Sequence, residues 1–80
     1  MMDATVFAQG HGVWHVNACP TMRSLGDLLM EPDRSLTILA DEGSPLCGIS
    51  PGPYAALDLA MNAIATHLGG RCEPAKRAWR

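Results

Sequence analysis

Positive charge is nearly missing from the first seventy positions of this chain, which hold Arg23 and Arg34 against seven acids. A stretch with a net charge near −5 repels a phosphate backbone, which argues against generic nucleic-acid binding through that part. Long apolar runs are missing too: none approaches the 18 residues of a membrane-spanning helix. Asp3 stands where a secretory signal would carry Lys or Arg, so the cytoplasm is the expected location. Cysteine falls short of an even set. Cys19, Cys47 and Cys72 cannot all pair within one chain, and reduced thiols are the expectation. Repeats, low-complexity tracts, domain linkers and a phosphate-cradling glycine motif are likewise absent.

What is present suits a single small core. The chain is 48% hydrophobic and 18% charged over 80 residues, too apolar for intrinsic disorder. At that length a domain buries about 60% of its unfolded surface, so packing must be good. The cations that the body lacks gather at the end, where Arg71, Lys76, Arg77 and Arg80 face a single acid, Glu73. This divides the chain into one domain over 1–70 and a basic tail over 71–80, expected to be loosely ordered or to add one short element.

The β-rich runs TVFAQ and VWHVNA flank Gly10-His11-Gly12, whose glycines can adopt the positive φ of a tight hairpin. In the second run Trp14, Val16 and Ala18 alternate with Val13, His15 and Asn17, which turns the Trp14 side toward the core. After Pro20, Thr21 and Ser24 can cap a short helix in which Met22, Leu25 and Leu29 recur at helical spacing before Pro32 ends it. SLTILA and PLCGIS, on either side of Asp41-Glu42-Gly43-Ser44, read as a second hairpin. Ser50-Pro51-Gly52-Pro53 then opens a long helix that Gly69-Gly70 stops. The sequence thus predicts an α+β fold. Its small, mostly antiparallel sheet has two hairpins and about four strands, a short helix lies between the hairpins, and the long C-terminal helix covers one face.

The long helix is unusual on both sides. Tyr54, Leu57, Ala60, Met61, Ile64 and Leu68 form a stripe about 120° wide, the normal width for packing on a sheet. Opposite lie Ala55, Asp58, Leu59, Asn62 and Thr66, with one formal charge where a solvated helix usually carries Glu and Lys pairs. Either the short helix covers that surface, or alanine merely supplies helix propensity there, or the surface is a homodimer seam or a seat for a foreign protein.

Few side chains point to catalysis. His11, His15 and Cys19 recur every four residues, a spacing for one helix face, but they fall on a predicted turn and strand. No metal site, cofactor or enzymatic activity is expected from them, and no cysteine has a local activating group. Trp79 among Lys76, Arg77 and Arg80 is a mix that stacks on bases and pairs with phosphates, or is simply a solvated tail. The acids Asp27, Glu31, Asp33, Asp41 and Glu42 either solubilise loops or guide a basic partner into register.

The hairpin followed by SPGPYAALDLAM, an Ala-rich helix opened by a Pro-Gly turn, resembles small phage and mobile-element proteins that include anti-CRISPR inhibitors of type I surveillance complexes. The resemblance spans about 20 of the 80 residues and implies action by occupying an effector surface without catalysis. On that reading the chain is a non-catalytic protein-binding inhibitor whose partner, a CRISPR effector subunit, meets Asp41, Glu42, Asp58, Leu59, Asn62 and Trp14. The alternative is a nucleic-acid-binding or antitoxin-type regulator acting through Arg71, Lys76, Arg77, Trp79 and Arg80.

Overall fold

Alternation of apolar and polar residues builds the first hairpin, β1 (Asp3–Gly10) and β2 (Val13–Cys19), which pair antiparallel from Asp3 opposite Cys19 to Gly10 opposite Val13. The computed structural model describes residues 2–75. Two further strands, β3 (Ser24–Met30) and β4 (Leu36–Ala40), extend the sheet antiparallel, each beside its predecessor. The chain then crosses the sheet as α1 (Leu57–Leu68) and returns as β5 (Cys72–Pro74), parallel to β1. The strand order is β4-β3-β2-β1-β5.

One face of this sheet makes the core. Ala4 and Val6 of β1, Val16 and Ala18 of β2, Leu28 of β3 and Leu36 and Ile38 of β4 are buried against Ala60, Met61, Ile64 and Leu68 of α1. Each large aliphatic among them contributes about 1.5–3 kcal/mol through burial. Trp14, Tyr54 and Leu57 are half-buried at the margin of this cluster. Gly69 ends α1 in the left-handed conformation, φ 73°, and the Gly69 and Gly70 amides donate to Thr66 and Ala65.

The fold differs from the sequence expectation in three places. Among the described residues the sheet has five strands and is mixed, with one helix, where two hairpins, about four strands and two helices were predicted. Residues 21–30 form no helix, because Ser24–Met30 is β3, hydrogen-bonded on both sides. A β-bulge explains the deceptive spacing: Val16 opposes Gly26 and Asn17 opposes Ser24, so Leu25 is the extra residue. Leu25 and Leu28 therefore both point inward, 1% and 0% exposed, and imitate a helical interval of three.

PLCGIS is not a strand either. Pro45 offers no amide, and the segment coils through successive turns in which Ser44, Cys47 and Ile49 amides donate to Asp41, Ser44 and Leu46 carbonyls. Leu46 drops from these turns into the core. The helix starts at Leu57, since Tyr54 is still extended and exchanges backbone bonds of 2.8 and 2.9 Å with Leu36. Of the two outcomes left open for the tail, Cys72–Pro74 adds one short element, the fifth strand; with Arg71 O accepting from Ala4 and Ala75 donating to Val6 O, it secures the outer side of β1.

Candidate functional site

Two surfaces of the molecule lack a covering layer among the described residues. On the outer side of α1, Asp58, Leu59, Asn62 and Thr66 are exposed, Leu59 at 49%. The segment expected to shield them is β3, within the sheet. Beside them the loop before α1 forms the other bank of a wide, open groove of about 670 Å³, where Leu59, Asn62 and Ala63 face Ile49 and Tyr54. Local bonds brace that bank: Tyr54 Oη donates to Ser50 O at 2.7 Å, and His67 Nε2–H donates to Cys47 O at 3.2 Å.

The second surface is the sheet face turned away from α1. Strand pairing sets Phe7, His15, Asp27 and Leu39 in one row across β1 to β4, and Val13, Leu29 and Thr37 in the next. Phe7, Val13 and Leu29 are half-buried by their neighbours, while Leu39 is 46% exposed. In the centre His15 Nδ1 and Asp27 Oδ1 lie 2.7 Å apart. A carboxylate only accepts, so His15 Nδ1–H donates to Asp27 Oδ1. Thr37 Oγ1 donates to Glu31 Oε2 at 3.0 Å, which holds a second carboxylate beside the apolar rows. In the row toward the chain's start, the Asn17 carboxamide oxygen is enclosed and accepts no hydrogen bond.

A third feature sits at the sheet's end. Asp41 and Glu42 line a cavity of about 500 Å³ with Arg23, Ser24 and Thr21. Ser24 Oγ donates to Asp41 Oδ2, and Ser44 Oγ donates to Leu25 O at 3.0 Å, tying the turn after β4 to β3.

The partner-binding residues expected from the sequence therefore occupy different places. Asp58, Leu59 and Asn62 share the α1 surface, Asp41 and Glu42 stand at the sheet's end, and Trp14 packs half-buried on the core side. Of the basic group, Arg71 is exposed, 3.9 Å from Glu73, and its amide donates to Asp3 Oδ1 at 3.0 Å. Lys76, Arg77, Trp79 and Arg80 lie outside the described residues. His15 joins Asp27 rather than His11 or Cys19, and among the described residues no three metal-ligating side chains converge. The open sheet face escaped sequence reasoning because recognising it requires 24–30 to be a strand; the signal was the alternation of Asp27 and Leu29 with Leu28.

Cys72 is not an activated nucleophile. Burial, with a smaller contribution from Glu73, pushes the Cys72 thiol up to about 11, which leaves little thiolate at neutral pH. His67 meets the carbonyl of Cys47, an interaction that does not draw a proton from sulfur. At Asp33 the Ser35 hydroxyl and amide donate to the carboxylate and hold it below its ordinary range, as in a turn.

Fold and surfaces together define a two-layer α+β domain with an open helix face and an open sheet face. Comparison with family models, with curated proteins and with solved structures finds no match. Among the described residues no helix is long and apolar enough to cross a membrane.

Proposed function

We propose that the chain is a small, non-catalytic protein-binding inhibitor that seats a foreign protein against the outer side of α1. One observation carries this reading: the sheet covers one side of α1, and no described element of the chain covers the other, where Leu59 is 49% exposed beside the groove. Exposed leucine flanked by alanine, with Asp58 as the one formal charge, allows close approach of a second surface. Asp58 and Asn62 give that approach direction.

In its finer form the partner is a subunit of a type I CRISPR effector, as the resemblance of about 20 residues ending in SPGPYAALDLAM implies. The test is capture of purified effector by the tagged chain, with relief of interference in cells that carry an active type I system. Leu59→Asp should abolish both effects. Capture that survives Leu59→Asp would move the contact off α1, and absence of capture with unrelieved interference would remove the CRISPR partner. Salt-sensitive RNA or DNA binding lost on truncation after Ala75 would instead favour the regulator acting through the tail.

A further inference from the structure

We infer that the sheet face opposite α1 is a second docking surface, and that its occupant is a basic amphipathic helix of another protein. Phe7, Val13, Leu29 and Leu39 make an apolar arc around the His15–Asp27 pair, one residue from each of β1 to β4. A solvated sheet face normally presents polar residues at such alternate positions. Four strands spaced about 4.8 Å apart set this arc roughly 14 Å wide, a bed for one helix.

Charge decides the chemistry of the occupant. Asp27 and Glu31 stand on the face and Asp41, bonded to Ser24, stands at its rim, whereas no Lys or Arg occupies any of the five strands. A lysine stem lying over Leu29 or Leu39 would bring its ammonium to Asp27 or Glu31. A second copy of the chain would oppose like charges across the interface, and a phosphate-bearing ligand would be repelled. Strand addition is also disfavoured where β4 is already lined by Pro51–Tyr54, with Ile38 donating to Pro51 O at 2.9 Å, and Pro74 removes a donor from β5. Among the described residues the face, not those edges, is uncovered.

The test uses the full chain, isotope-labelled, and two synthetic 14-residue peptides. Both carry leucines at i, i+3, i+4 and i+7; one has lysines elsewhere, the other glutamates. Saturable binding of the lysine peptide is expected, with amide shifts concentrated at Phe7, Val13, His15, Leu29 and Leu39 and affinity at least about tenfold above the glutamate peptide. Glu31→Gln and Leu39→Ser, two exposed positions, should each weaken binding severalfold without altering the remaining spectrum. Leu59→Asp should leave it unchanged, so this surface and the α1 surface can fail separately. Equal affinity for both peptides, shifts confined to Leu57–Leu68, or self-association through this face in place of peptide binding would overturn the inference.

Discussion

Two residues carry local costs that mutation can read directly. Gly26 lies opposite Val16 at the bulge with φ 156°, and a Cβ there would collide with the Leu39 carbonyl oxygen. Gly26→Ala should therefore cost about 3 kcal/mol, seen as a fall in the urea midpoint. Asn17 is the opposite case, since its enclosed oxygen lacks a donor. An unsatisfied acceptor costs about 1–3 kcal/mol, so Asn17→Val, which also suits a strand, should raise Tm by about 4–8 °C. An unchanged or lower Tm would mean that Asn17 has a partner in solution. Cys72 supplies a chemical probe. Its raised thiol should make it label far more slowly than exposed Cys19 and Cys47 in the native chain, with the three equalised in denaturant. The sign for stability follows: a thiol at about 11 in the fold against 9.0 unfolded stabilises fully below pH 9, and that contribution is lost as pH rises toward 11. Cys72→Ala should flatten this alkaline decline in the urea midpoint.

At the scale of elements, α1 separates packing from exposure. Ile64 is fully buried and Leu59 about half exposed on the same 12-residue helix. Ile64→Ala should cost about 2–5 kcal/mol, whereas Leu59→Asp, in the first turn where an acid suits the helix dipole, should change stability by no more than about 0.5 kcal/mol. Equal losses in urea titrations would show that Leu59 is already packed. This helix was legible in the letters, because Ala60, Met61, Ile64 and Leu68 keep one period and Gly69 stops them. β3 was not, since its bulge places Leu25 and Leu28 on one side at an interval that a regular strand never produces. The candidate surfaces divide along the same line. The α1 side could be read from one element's periodicity, while the sheet face depends on Phe7, His15, Asp27 and Leu39 meeting from four strands.

For the whole molecule, the boundary that composition drew at residue 70 falls between α1 and the strand that closes the sheet. Three residues are too few to display a period, so Cys72–Pro74 could not be told from tail by pattern. Ending the chain at Gly70 should strip β1 of its parallel neighbour, lower the urea midpoint and broaden the size-exclusion peak through edge pairing. Ending it at Ala75 keeps every described strand and the Ala75 to Val6 bond, and should leave the midpoint in place. Equal midpoints for the two truncations would make β5 dispensable.

The parallel join between β1 and β5 also imposes an order in time. Ala4 and Cys72 are neighbours in space but far apart along the chain, so a growing polypeptide holds β1 unmatched on one flank until residues 72–74 emerge. During that interval the flank is open to any extended chain nearby, and a ribosome carrying this message exposes an adhesive intermediate that the finished protein no longer displays there.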